Sequence, residues 1–301
     1  MKNLLIFGYT QWAYGQLHNA LAEQLRVRGW KVTIKDWRAS NPNLAAEAAQ
    51  HDHVMTVFDG PQALVGYGIP REKITFVAHA EFDIQGIIAT EGIDSFSRYR
   101  HYAVVSDSLA CSSLALGIPR IPTVVRLGVE TDKYRRPVAK RLRTVGYAAR
   151  WERKTNSGVE QKRGRLAQSC AEEAGLEFKR TEDTPMDQMP DFYESIDALI
   201  MPSLQEGAGL PAIEAAASGR LVIGTPVGHF PRLAYEGLGI LGPLDEKAFL
   251  QFTVERLNFF KNNPIAYQHT CKIAQDAACE RDWSKMVDDW IGLFSTKISN
   301  S

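Results

Sequence analysis

The stretch Ser203-Leu204-Gln205-Glu206-Gly207-Ala208-Gly209-Leu210-Pro211-Ala212-Ile213-Glu214 decides how this chain is read. A short apolar run, Ala198 to Met201, leads into it and reads as a strand. Glycines at 207 and 209 make a turn in which backbone can come close to a ligand. Pro211 sits where a helix begins and Gly219 where it stops, so 211–218 reads as a helix. Leu221 to Gly224 is the next apolar run. Strand, glycine turn, helix, strand is the repeating unit of a parallel sheet with crossover helices. Ligands of such sheets sit beyond the carboxyl ends of the strands. That is where the stretch places Glu206, in the turn, with Glu214 one turn into the helix. A carboxylate only accepts hydrogen bonds, which suits the vicinal hydroxyls of a sugar or a ribose. The free N–H groups of the helix start attract oxygen and negative charge. On spacing alone, two surface glutamates near a helix start fit equally well.

The same alternation extends in both directions. Upstream, Leu4 to Phe7, Lys31 to Trp37, Val54 to Phe58, Ile74 to Ala78, Tyr102 to Val105 and Thr123 to Arg126 read as strands. A helix is expected from about Gln16 to Arg28, stopped by Gly29, and another from the N-cap Ser106 through Leu116. A basic, proline-containing stretch, Lys133 to Arg143, reads as a linker. The pattern restarts with the strand Thr144 to Ala149 and a helix from Arg163 to Ala174, and residues 246–294 read as mostly helical. Two βα series predict two Rossmann-like α/β domains facing each other across a cleft. The expected boundaries are 1–130, 131–282, and a C-terminal helix and tail at 283–301. Trp283, Met286, Val287, Trp290, Ile291 and Phe294 recur at helical spacing above a polar face of Lys285, Asp288 and Asp289. A membrane-surface helix would be rich in Lys and Arg there, so packing against protein is expected.

Composition narrows the function classes. The chain has 301 residues, 45% hydrophobic and 23% charged, enough to bury real cores. Lys plus Arg equals Asp plus Glu, 35 against 35, which is not the charge balance of a broad nucleic-acid grip. Cys111, Cys170, Cys271 and Cys279 form no Cys-x-x-Cys pair and no zinc spacing; free thiols in a reducing cytoplasm are the plain reading. No stretch approaches the ~20 apolar residues of a membrane span. No Gly-x-Gly-x-x-Gly opens either half, which disfavours a nicotinamide oxidoreductase.

Residues 203–214, continuing through Ala215 to Thr225, closely resemble the Glu-x7-Glu segment of retaining GT-B glycosyltransferases, the sucrose-synthase-like group, which is family 4-like. Met189 to Tyr193 and Asp197 to Pro202 resemble that family's approach to the motif, and Val227-Gly228-His229-Phe230 its glycine turn. Leu127 to Tyr134 resembles its interdomain signature, and Gly8-Tyr9-Thr10-Gln11-Trp12-Ala13-Tyr14-Gly15, more loosely, its glycine loop. The resemblance implies a GT-B fold whose C-terminal helix packs back on the N-terminal domain. It also implies a nucleoside diphosphate sugar donor, UDP- or GDP-linked, and sugar transfer with retention at C1. In catalysis, Arg150 and Lys162 would meet the diphosphate, Glu206 the sugar hydroxyls, and His79, at a strand end, the transferred sugar. Lys154 competes with Lys162 for the diphosphate role. Donor contacts are implied for Glu214, toward the ribose, and for Ser203, Gly207, Ala208, Gly209 and Leu210. Gly8 and Gly15 would face donor phosphates or acceptor, with packing of Trp12 and Tyr14 an equal alternative. No Asp-x-Asp metal motif lies in a suitable loop, so no metal and no cofactor beyond the donor is expected. The acceptor is unidentified: a polysaccharide, a lipid-linked glycan or modified DNA, the last disfavoured by the neutral charge. A non-hydrolysing sugar-nucleotide epimerase and a non-catalytic sugar-nucleotide-binding subunit are the alternatives.

Overall fold

A computed structural model of the chain describes residues 2–151, 160–181 and 184–296, with the side chains of Trp12 and Ala13 left aside. It divides into two compact units. The first is Met1–Gly128 together with the chain from Trp283 onward, and the second is Val129–Asp282.

In the first unit the strands are β1 (Asn3–Gly8), β2 (Lys31–Asp36), β3 (His53–Thr56), β4 (Ile74–Ala78), β5 (His101–Val104) and β6 (Thr123–Val124). They form one sheet in the order β2-β1-β3-β4-β5-β6, parallel throughout. The second unit has β7 (Thr144–Tyr147), β8 (Glu177–Arg180), β9 (Ala198–Met201), β10 (Leu221–Gly224) and β11 (Ile240–Leu241), ordered β11-β10-β9-β7-β8 and again parallel. Successive strand side chains point to opposite faces. The second core shows this directly: Leu199, Met201 and Val222 join one apolar cluster, while Ala198, Ile200, Leu221 and Ile223 join the other. Both sheet faces are therefore covered, as parallel sheets require.

The C-terminal helix Trp283–Ser295 belongs to the first unit. It buries Trp283, Met286, Val287, Trp290, Leu293 and Phe294, the apolar stripe expected to pack on protein. Its polar face is tied down as well. Asp289 pairs with Arg126 at 2.6 Å, Asp288 with Arg28 at 2.6 Å, and Trp290 Nε1 donates to the Arg126 carbonyl at 3.0 Å.

Two expectations need correction. The first helix begins at Trp12, not Gln16, because Gly15 lies inside it with its N–H donating to the Gln11 carbonyl at 3.0 Å. Lys133 to Arg143 is not a linker. Thr131–Tyr134 is a short helix, Tyr134, Ala139 and Leu142 are buried in the second unit's cores, and the chain passes between units at Gly128–Val129 and Asp282–Trp283. Among the described residues no helix is long and apolar enough to cross a membrane.

Candidate functional site

Two loops at the carboxyl ends of β7 and β9 are stitched together in the second unit. The Leu204 N–H donates to the Gln161 carbonyl at 2.8 Å, and Gln161 Nε2 donates to Gln205 Oε1 at 2.7 Å. Lys162 Nζ lies 2.5 Å from Glu206 Oε1 and donates to the Gln205 carbonyl at 3.1 Å. Ser203 Oγ donates to the same Glu206 oxygen at 2.7 Å. Lys162 and Glu206, both expected site residues, are thus direct partners, each side chain retaining 14% of its surface. An ammonium has three donors, of which two are used here. Among the described residues the bonds from Lys162 and Ser203 both fall on Glu206 Oε1, so Oε2 keeps acceptor capacity for a ligand hydroxyl.

The turn after Glu206 is held by close packing. Gly209 takes φ +66°, a left-handed conformation that glycine adopts without strain, and it precedes the helix Leu210–Ala217. Gly207 and Ala208 are half-buried beside it. Gly228 sits against this turn at φ +60°. A Cβ there would lie 2.5 Å from the Gly207 carbonyl oxygen and 2.8 Å from Glu206 Cβ. Thr225 Oγ1 donates to the Ser203 carbonyl at 2.5 Å and fixes the other end of the loop.

Glu214 has a different setting from Glu206. It is buried, and its two oxygens accept from Tyr134 Oη at 3.1 Å and Tyr193 Oη at 2.6 Å. Burial raises its pKa, against the lowering effect of the two phenols. The same burial, with the carboxylate alongside, pushes both tyrosines above their ordinary range. A carboxyl so enclosed holds the helix 210–217 to Tyr134 and to the helix Met189–Glu194, and any ribose contact would use its remaining lone pairs.

Arg150 is exposed at the carboxyl end of β7, its carbonyl accepting from Tyr147 Oη at 3.4 Å. Lys154 lies outside the described residues. Arg163, absent from the expected site, is the residue that carries Lys162. Its φ is +49°, unusual for a non-glycine residue, and it is buried. Its guanidinium donates to the Pro202 carbonyl and, at 2.9 Å, to the Leu244 carbonyl. It therefore ties the Lys162 loop to the base of the Glu206 loop. Nη2 is buried with no partner among the described residues. In the sequence only its place next to Lys162 pointed to it.

His79, Gly8 and Gly15 all lie in the first unit. His79 follows β4 and is buried, edge-on to Tyr14 with ring centroids 5.2 Å apart. Burial, with His18 nearby, pulls its pKa down to about 3, so its imidazole is neutral at physiological pH. It can exchange hydrogen bonds but brings no positive charge. The structure supplies a packing reason for both glycines. A Cβ at Gly8 would meet His18 Cε1 at 2.6 Å, and one at Gly15 the Thr10 carbonyl at 2.3 Å.

Residues 139–258 match the model of the family described as glycosyl transferases group 1. Sucrose-phosphate synthase from Thermosynechococcus elongatus has the same fold, with a TM-score of 0.71 at 14% identity over 98% of each chain. HepE from Anabaena, solved in complex with UDP, gives 0.71 at 14% identity over 98% of this chain and 100% of that one. The lipopolysaccharide outer core galactosyltransferase WaaB gives 0.60 at 14% identity over 97% and 98%. No curated protein sequence matches the chain. At these identities the likeness shows the fold, two parallel-sheet α/β units of the GT-B kind.

Proposed function

We propose that the chain is a retaining, metal-independent glycosyltransferase that takes its sugar from a nucleoside diphosphate sugar bound by the second unit. The observation that carries this reading is the Lys162–Glu206–Ser203 cluster beside the glycine turn, inside the segment that matches the glycosyl transferases group 1 model. UDP is the favoured nucleotide, because HepE, of like fold, was solved with UDP and with UDP-glucose.

In this reading Lys162 and Arg150 face the diphosphate. Charge that develops on the leaving phosphate is stabilised by cations already in place, each worth about 2–4 kcal/mol of barrier on the scale of an oxyanion-hole donor. Glu206 Oε2 accepts from sugar hydroxyls, Ser203 and Lys162 fix the carboxylate's orientation, and the backbone of Gly207 to Leu210 borders the donor. Glu214 anchors the helix that carries the turn and accepts from the ribose. The C1–O bond to the diphosphate breaks, the acceptor oxygen bonds C1 on the same face, and the acceptor proton passes to the departing phosphate oxygen. His79 contributes a neutral hydrogen-bonding imidazole. Free cysteines, two of them buried, accord with a cytoplasmic setting.

A thermal-shift screen of UDP, GDP and their sugar conjugates tests the donor, since a ligand that binds only the folded chain raises its melting temperature. UDP-sugars are expected to stabilise the wild type and to lose most of that effect in Glu206→Ala and Arg150→Ala. Epimerisation of the donor in the absence of any acceptor would overturn the transferase reading.

A further inference from the structure

We infer that the carboxyl ends of β1 to β4 form an aromatic platform for a neutral sugar ring, so that the acceptor is an uncharged glycan. This rests on the transferase reading and narrows its acceptor class. Four consecutive strand ends deliver an aromatic side chain to one place. Tyr9 follows β1, Trp37 follows β2, Phe58 lies two residues past β3, and Phe82 is the second residue of the helix after β4, Glu81–Glu91. Tyr14 joins them from the first turn of the first helix. Ring centroids are 4.7 Å apart for Tyr9–Trp37, 4.5 Å for Tyr14–Phe58 and 5.8 Å for Phe58–Phe82, the last pair stacked. Ligands of open parallel sheets bind at this end.

These rings are not a closed core. Tyr9, Tyr14, Trp37 and Phe58 are half-buried, and Phe82 is 47% exposed. Phe58 holds its ring there at φ +50°, a conformation that costs a bulky residue free energy and that clusters at functional sites. The only other non-glycine residue with positive φ among those described is Arg163, in the donor cluster of the other unit.

The polar groups around the platform select its ligand. Asp36 is held as a carboxylate by Arg38 and by Thr10 Oγ1 at 2.5 Å, and Asp59 and Glu81 flank Phe58 and Phe82 in sequence. Arg38 lies over Tyr9 at 5.2 Å with its charge engaged by Asp36. A pyranose presents C–H groups on its faces, which suit the electron-rich face of a ring, and hydroxyls at its rim, which suit carboxylates. A nucleic-acid backbone needs available cations here, and Arg38, over Tyr9, is already paired with Asp36. A lipid chain needs an unbroken apolar surface, which the Asp36–Arg38 pair beside Tyr9 interrupts.

The test is saturation-transfer NMR and titration of the intact protein with maltotriose, cellotriose and chitotriose. A short DNA duplex and phosphatidylcholine–phosphatidylglycerol vesicles run in parallel. At least one neutral trisaccharide is expected to bind. Phe82→Ala should weaken it about tenfold, Phe82→Tyr should restore it, and UDP affinity should not change in either. The inference is overturned if UDP binds and no trisaccharide does, if trisaccharide affinity ignores Phe82, or if DNA or vesicles bind in a Phe82-dependent way. Failure of UDP itself to bind would instead bring down the transferase reading on which this rests.

Discussion

Replacing Lys162 and Glu206 singly and together measures the interaction on which the donor cluster is built. At 2.5 Å the Coulomb attraction of two unit charges is ~1.7 kcal/mol in a water-like medium and ~7 kcal/mol at an effective dielectric of about 20. Each side chain is only 14% exposed, so the environment lies nearer the second figure. Loss of hydration opposes much of that gain. A net coupling of about 2 kcal/mol follows, within the range seen for contacting residues. The assay is a double-mutant cycle of Lys162→Met and Glu206→Gln by urea unfolding, repeated with UDP-glucose titration. Each single change should cost more stability than half the double, because it leaves one ion enclosed without its partner. Lys162→Met should also weaken UDP-glucose by a factor of about 30 or more, the loss of one charged donor. A coupling below about 0.5 kcal/mol, or unchanged UDP-glucose affinity in Lys162→Met, would rule out a Lys162–Glu206 pair that holds the donor.

Three further outcomes are expected. Gly228→Ala forces a Cβ to within 2.5 Å of the Gly207 carbonyl at positive φ; it should lower stability by more than about 1 kcal/mol and weaken UDP-glucose, and wild-type behaviour in both would contradict the packing described. Tyr193→Phe leaves a buried Glu214 oxygen without its 2.6 Å donor, at a cost of about 1–3 kcal/mol in urea unfolding; an unchanged midpoint would show that the carboxyl rearranges freely. Burial raises the Asp83 carboxyl to about 7, against hydrogen bonds from the His79 and Ala80 backbone N–H groups. The folded state therefore keeps a proton that the unfolded chain releases, so stability should fall as pH rises from about 4 to about 7. Asp83→Asn should remove that fall, and a profile identical to wild type would show that Asp83 titrates normally.

The strands legible in the sequence are those buried on both faces. Ala198–Met201 and Leu221–Gly224 are unbroken apolar runs, Ile74–Ala78 is interrupted only by Thr75, and the structure gives them those bounds. The edge strand Glu177–Arg180 was not legible: three of its four residues are charged, as suits an edge, and no apolar run marks it. Glu206 and Glu214 stood out because one short segment carries both. Their partners did not. Tyr134 lies 80 positions from Glu214 and Tyr193 lies 21, so only the folded chain brings these three buried side chains together. Arg163 stood in the sequence only as the first residue of an expected helix, whereas two carbonyls and a left-handed backbone make it the strut beneath Lys162. The aromatic platform was equally hidden, because its rings come from four strand ends that are adjacent only in the sheet.

Amide hydrogen exchange with and without saturating UDP-glucose tests whether the donor docks on the Lys162–Glu206 cluster. Exchange should slow in 160–164 and 203–214, where Lys162, Ser203 and Glu206 meet, and Lys162→Met should lose that protection. Protection confined to the first unit, or no change anywhere, would contradict that docking.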